Sequence, residues 1–480
     1  MTKLDIHNLD VIAVNSIIQD VLKYEDSRTL GLAEVCFKKT HGNPFYLIHY
    51  LSMLYQNLFL QYNFGTMSWM WNNEEIEMST YASDNVVDLL QKRMMELPGQ
   101  MLDILKIAAC LGSTFEQRLL QLVWSRFFRV VGESCLGLGF MPAIHELVEE
   151  EIFVKLSQAP PRIGWVHDKI HEAAIALISH SERHIYQRRV GEILASELQE
   201  GELDSAIFVI VDLLNGSSVD DSDNEARFKL AHLNLKASQK AIRVSAFDSA
   251  ANYAGQGITW LPDNAWDKYY ETCLQLYSIG AKAEGYVGNV VKMEEYCRAV
   301  LSQEGKTIKD KFDVYNTLID EMSNQGKIEE AVKLLMEILG RFRCRFPKNP
   351  GLIGLGVAYN VIIIQGTISS RETSKLASMD DNTRAALMQF LDKLATCLYM
   401  LEDDRLPLVI FRSLNWTIKY GNCAYSAPAF ATTGMMLTGI LNDIQAGAIY
   451  GKHGLSLLEK MQSVSTAART MFCVYSFLFP

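Results

Sequence analysis

Apolar residues recur at spacings of three and four through most of this chain, which predicts helix after helix. Before Lys23 they fall at Val14, Ile17, Ile18, Val21 and Leu22, and before Thr40 at Leu30, Ala33, Val35 and Phe37. Gly42-Asn43-Pro44 interrupts this pattern, and a very apolar helix is expected over 45–60. Tyr62-Asn63-Phe64, Gly65 and Trp69-Met70-Trp71 alternate aromatics around a glycine, which predicts a small hairpin. A helix is expected over 86–97, with Asp84 as its cap and Pro98-Gly99 as its stop.

The pattern then changes. Helices are expected over 101–111 and 115–128. A glycine-rich stretch (Gly132, Gly137, Gly139) leads to a third over 142–151. Two β-rich runs follow, 152–156 and 163–166, joined by Ala159-Pro160-Pro161-Arg162. Three helices followed by a two-stranded wing is the pattern of a winged-helix domain. His167-Asp168 comes directly after the wing and opens a helix expected over 169–178.

From about residue 185 only helices are expected, and a local pattern repeats. Phe247-Asp248-Ser249-Ala250, Val290-Val291-Lys292-Met293 and Ile328-Glu329-Glu330-Ala331 lie 43 and then 38 residues apart. Each follows a small or turn residue: Ser245, Gly288-Asn289 and Gly326-Lys327. A fourth copy, Ile444-Gln445-Ala446-Gly447, follows Asn442-Asp443. A period of roughly 34–45 residues marks tetratricopeptide-like and related helical solenoids. The small residue (Ala250, Ala331, Gly447) is expected where paired helices cross closely, with Met293 the exception. Trp260, Trp266, Tyr269 and Tyr277 read as core of this array.

Composition agrees with a long helical chain: only 11 prolines occur in 480 residues. A net charge of −11 argues against a general binder of nucleic acid or anionic membrane. The nine cysteines form no Cys-x-x-Cys pair and read as reduced core thiols of a cytoplasmic protein. Met1-Thr2-Lys3-Leu4-Asp5 is no signal peptide. Residues 351–368 carry no charge, but Asn360, Gln365 and several Gly and Ala make a buried core helix the better reading than a membrane span. Gly305-Lys306-Thr307 is no P-loop, because the required first glycine falls at Val300. No catalytic constellation stands out, so the chain is not expected to be an enzyme by itself.

Two short motifs carry candidate chemistry, each beside a plainer reading. Gly42-Asn43-Pro44 is on its residues a helix–helix corner, with Gly allowing the turn and Pro starting the next helix. At Val166-His167-Asp168, Asp168 is expected to cap the helix and His167 could reach an anion at the helix start; a half-buried capping pair is the plainer reading. His167, His171 and Glu172 lack a third good ligand for a metal site. The third helix of the winged region carries Glu146, Glu149, Glu150 and Glu151, a face that repels phosphate and favours a packing role over DNA reading.

Together these segments resemble the C-terminal half of the ATPase module in STAND proteins, the signal-transduction ATPases with numerous domains. More closely they resemble multidomain signalling proteins that join an Orc1-like AAA ATPase to kinase or cyclase domains. The matching stretches are Lys39-Thr40-His41-Gly42-Asn43-Pro44-Phe45-Tyr46-Leu47, Asn85-Val86-Val87-Asp88-Leu89-Leu90, Ala108-Ala109-Cys110-Leu111-Gly112-Ser113-Thr114-Phe115, Val166-His167-Asp168-Lys169-Ile170-His171-Glu172-Ala173-Ala174 and Tyr420-Gly421-Asn422. The resemblance implies a mainly α protein: a helical lid over 1–98, a winged helix over 99–184 and a tetratricopeptide-like superhelix over 185–480. It implies that Gly42 and Pro44 set the lid corner against an adenine. It also implies that His167 is similar to the histidine of a Met-His-Asp motif, which touches the β-phosphate of bound ADP, with Asp168 as helix cap. Val166 stands in the Met position, expected to be an apolar packing site. ATP or ADP is then the cofactor of the complete module and not of this chain alone. The expected partners are proteins bound by the solenoid, a P-loop core and a kinase or cyclase output domain, with no nucleic acid and no membrane. The chain, ending on Phe477-Leu478-Phe479-Pro480, is expected to be a fragment, a truncated gene model or a descendant that lost both ends. The alternatives are a nucleic-acid-binding winged-helix regulator and a solenoid adaptor without any nucleotide role.

Overall fold

A computed structural model describes residues 7–24, 27–79, 86–129, 139–216, 223–304, 307–367 and 376–478. The cap expected at Asp84, the glycines Gly132 and Gly137 and the pair Gly305-Lys306 lie outside these residues. The protein is mainly helical, and among the described residues the short strands all lie in its first part. It divides into two compact units, up to residue 220 and from residue 221.

The first unit opens with helices Val11–Leu22, Leu30–Thr40, Pro44–Gln56 and Asn73–Ser79, and a hairpin of Gln61–Asn63 with Ser68–Met70. Their apolar stripes meet in a core of Val14, Ile18, Leu32, Cys36, Leu47, Leu54 and Ile76, all fully buried. Helices Val86–Met95, Gly99–Leu111, Gln117–Arg129 and Phe140–Glu149 follow. An antiparallel sheet accompanies them. Its central strand Pro161–Trp165 pairs with Phe153–Gln158 on one side and Thr114–Glu116 on the other. The last of these strands was not expected. Phe115, Phe153 and Trp165 pack edge to face across the sheet, and Trp165 Nε1 donates to the Gly112 carbonyl at 2.9 Å. Helices Arg183–Glu197 and Glu200–Asn215 belong to this first unit by packing, past residue 184 where the superhelix was expected to begin. Tyr186 stacks on Phe127 at 4.8 Å, the Arg189 guanidinium lies 4.4 Å from the same ring, and Arg126 pairs with Glu197.

The second unit is built from antiparallel helix pairs. They are Asn224–Arg243 with Phe247–Thr259, Tyr270–Val287 with Val290–Leu301, Phe312–Asn324 with Ile328–Arg341, Asn382–Met400 with Leu406–Tyr420, and Ser426–Leu441 with Ile444–Met461, followed by Val464–Phe477. The four repeated motifs begin their helices at the expected residues. A single backbone feature explains the pattern: Ser245, Gly288, Gly326 and Asn442, just ahead of each motif, all have positive φ. One left-handed residue ends the first helix and turns the chain back for the second. Ala250 and Ala331 are fully buried at the crossings, and Ser238 Oγ donates to the Ala250 carbonyl at 2.8 Å. A Cβ on Gly447 would stand 3.1 Å from the Gly434 carbonyl, so these helices approach backbone to backbone. Met293 is buried and fills its corresponding position with side chain. Trp260, Trp266 and Tyr277 are only partly buried and pack on the rim of the core, and partly buried Tyr269 stacks on Phe228.

One helix departs from expectation. Pro350–Thr367 does not run through the core. Ile353 is buried, whereas Leu352, Leu355, Tyr359 and Ile362 face outward. Leu406–Tyr420, already paired with Asn382–Met400, covers one face of it only. Among the described residues no helix is long and apolar enough to cross a membrane. The eight described cysteines are all unpaired, and burial pushes the thiols of Cys36 and Cys110 up to about 12, so both stay protonated.

Candidate functional site

The corner between helices Leu30–Thr40 and Pro44–Gln56 is tightly determined. His41 and Gly42 both turn with positive φ, 50° and 71°. Asn43 caps the second helix, its side chain accepting from the amides of Phe45 and Tyr46, and Pro44 occupies the first helical position, where its missing N–H has no cost. The segment before the first helix closes over the turn: the Leu9 amide donates to the Gly42 carbonyl at 2.8 Å and Asn8 Nδ2 to the His41 carbonyl at 3.0 Å. Pro44 is left exposed.

The second motif lies at the end of strand Pro161–Trp165 and the start of helix Asp168–Ala176. The cap is His167 and not Asp168. The Lys169 amide donates to His167 Nδ1 at 3.1 Å, and Asp168 is already the first helical residue. Asp168 therefore acts from inside the first turn, where a carboxylate favours the positive end of the helix. Val166 is also not a packing position. It follows the last residue of the strand, buried Trp165, and is 45% exposed.

The two motifs meet. The rings of Phe45 and His167 stack with centroids 3.9 Å apart and 17° between planes, and His49 packs edge-on to Phe45 at 4.4 Å. Exposed Pro44 is the immediate chain neighbour of Phe45. Burial lowers the His49 pKa, with the Arg93 charge adding to it, so this imidazole is neutral. Because Nδ1 of His167 accepts a hydrogen bond, its neutral ring carries the proton on Nε2, which leaves Nε2–H as a donor. Lys169, beside it, is paired with Glu172 at 2.6 Å.

The Phe45–His167 stack thus joins the corner that holds Gly42 and Pro44 to the start of helix Asp168–Ala176. Sequence reasoning missed Phe45 as the residue that joins them, although it stands in the stretch 39–47; nothing local marks a ring contact more than a hundred residues away. His171 is turned elsewhere: Nε2 lies 3.2 Å from the Ala109 carbonyl and its ring stacks on Trp165. Among the described residues no cluster of three His, Cys, Asp or Glu side chains could hold a metal ion. Helix Phe140–Glu149 exposes Met141, Pro142, His145 and Glu149 and presents no Lys or Arg.

Replacing His167 removes both the cap and the stack. His167→Ala is expected to cost about 1–2 kcal/mol, and His167→Asn, which can still cap, about half of that. Hydrogen exchange of the amides at the start of helix Asp168–Ala176 measures both.

No family model matches this chain. It is 23% identical, over an alignment of 537 residues, to hybrid signal transduction histidine kinase G of Dictyostelium discoideum. That match covers 95% of this chain but only 15% of the relative, so the chain spans about a seventh of that protein's length. A solved structure of a signal transduction ATPase with numerous domains, carrying a tetratricopeptide repeat sensor, from Pyrococcus horikoshii aligns with 97% of this chain and 62% of its own. The identity is 12% and the TM-score 0.38.

Proposed function

We propose that this chain is the regulatory and scaffolding segment of a STAND-type signalling ATPase. In this reading residues 1–184, within the first unit, are the lid and winged helix that close over a nucleotide held by a P-loop core, and the helix pairs of the second unit are the surface for protein partners. The observation that carries it is the stack of Phe45 on His167, which links the Gly42–Pro44 corner to the end of the wing. The chemistry of the residues fits an adenine nucleotide: Pro44 offers an exposed apolar surface for a base, and His167 Nε2–H offers a donor for a phosphate oxygen at a helix start. The sequence similarity to a signal transduction kinase supports a role in signalling. The proposed switch requires the two nucleotide states to bind this face differently, since a ligand shifts an equilibrium only by its differential affinity.

The chain holds no P-loop, so by itself it should neither bind nucleotide tightly nor hydrolyse it. Calorimetric titration of the purified chain with ADP and with ATP is expected to show no micromolar binding. Binding at that level would overturn the assignment of the phosphate site to a core outside these residues.

A further inference from the structure

Helix Pro350–Thr367, in the second unit, carries an exposed apolar face that a nucleotide role does not use. Its inner side is fixed. Ile353 is buried, Val357 and Val361 pack on the core that contains Phe411 and Leu414, a Cβ on Gly356 would stand 3.0 Å from Leu408, and Asn415 Nδ2 donates to Asn360 Oδ1 at 2.8 Å. These contacts hold the other stripe outward: Leu352, Leu355, Tyr359 and Ile362 are 57%, 70%, 65% and 71% exposed, with exposed Gly351, Gly354 and Ala358 between them. The whole helix carries no charged residue. A contiguous apolar stripe of this kind on a folded protein marks a contact surface.

The segment that enters this helix is strongly basic. Arg341, Arg343, Arg345 and Lys348 are all exposed, and no acidic residue occurs between Glu337 and Glu372. Arg341 is paired with Glu337 at 2.7 Å. Arg412 adds a further cation, its guanidinium 5.7 Å from the Phe346 ring. The cations of the segment lie between the end of helix Ile328–Arg341 and the start of Pro350–Thr367, with Lys348 nearest the latter's N-terminus, and no carboxylate of the segment offsets them. A negatively charged surface outside the protein would neutralise them. The net charge of −11 belongs to the chain as a whole and does not describe this end of the helix.

We propose that Pro350–Thr367 and the basic segment before it dock the second unit onto an anionic lipid surface. The helix would lie in the plane of the interface, with Leu352, Leu355, Tyr359 and Ile362 entering the headgroup boundary and Arg343, Arg345 and Lys348 meeting lipid phosphates. Apolar insertion combined with a polybasic cluster is what peripheral membrane binding requires. A second copy meeting it by the same face fits less well, since that face would bring more cations and no carboxylates from this segment. This inference does not depend on any nucleotide role for the first unit.

The test is flotation of the whole chain with vesicles of phosphatidylcholine alone and of phosphatidylcholine with phosphatidylserine. The chain should float only with the phosphatidylserine vesicles, and less as salt is raised. Arg343→Gln/Arg345→Gln/Lys348→Gln should weaken binding on the order of a hundredfold. Leu355→Gln/Ile362→Gln, at outward positions, should weaken it on the order of tenfold or more. Circular dichroism of both variants establishes that each is folded. No flotation with phosphatidylserine at low salt would overturn the proposal, as would equal binding by both variants and the wild type. A dimer that sediments as such and is lost in Leu355→Gln/Ile362→Gln, without vesicle binding, would assign the face to self-association instead.

Discussion

Gly42→Ala is expected to destabilise the first unit by about 4 kcal/mol. The backbone there turns at φ +71°, and a Cβ would stand 1.9 Å from the Leu9 carbonyl oxygen and 3.0 Å from the Phe37 ring. The oxygen belongs to backbone, so no rotamer change relieves the contact. The strand of chain at Asn8 and Leu9 has to move off the turn, and the Leu9 amide then loses the Gly42 carbonyl and Asn8 loses the His41 carbonyl. Left-handed strain adds about 1 kcal/mol to these losses. The change should appear in native-state hydrogen exchange of helices Leu30–Thr40 and Pro44–Gln56. His41→Gly, at a neighbouring position of positive φ, introduces no Cβ and should shift the same amides by less than about 1 kcal/mol. Equal behaviour of the two variants would refute the account of the corner.

Arg469→Ala is expected to cost the second unit about 3 kcal/mol at neutral pH. Arg469, on helix Val464–Phe477, reaches helix Asn382–Met400, where its Nη1 donates to Thr396 Oγ1 at 2.7 Å and to the Asp392 carbonyl at 2.8 Å and pairs with the Asp392 carboxylate at 2.8 Å. Burial raises the Asp392 pKa, and Arg469 opposes that shift. Without the guanidinium the burial is opposed only by the Lys393 charge, and the folded pKa rises further above its unfolded value. A carboxyl whose folded pKa is raised destabilises the fold in its charged form. The deficit should therefore be largest above the folded pKa and shrink as pH falls toward the ordinary carboxylate range. Urea unfolding at a series of pH values checks this, and Asp392→Asn added to Arg469→Ala should recover most of the loss at neutral pH. A deficit that does not change with pH would mean that the loss comes from packing alone.

What was legible in the sequence followed from local rules. The four motif helices start where small and turn residues placed them, because a single left-handed residue at Ser245, Gly288, Gly326 or Asn442 both ends one helix and permits the next. The hairpin at 61–70 was equally local. Features that depend on distant chain were not legible. Thr114–Glu116 is three residues long and becomes a strand only because Pro161–Trp165 is there to pair with it. The cap of helix Asp168–Ala176 passes to His167 because its extended backbone points Nδ1 back at the Lys169 amide, a geometry that a preference for Asp at helix starts does not anticipate. Uncharged Pro350–Thr367 carries the composition of a core helix, and only the packing of Leu406–Tyr420 against a single face decides that the other face is bare. The individual members of the candidate site stood out by their motifs, whereas their meeting through Phe45 is a property of the fold.

The most direct test of the nucleotide reading is equilibrium titration of ADP and ATP into this chain assembled with a P-loop ATPase core, as wild type and as His167→Ala. If His167 senses the phosphates, ADP affinity should fall about tenfold in the variant, the loss of one hydrogen bond to a charged group, with a distinctly different change for ATP. Unchanged affinity for both nucleotides, in a variant that loses only stability, would contradict the account and leave His167 as a structural cap.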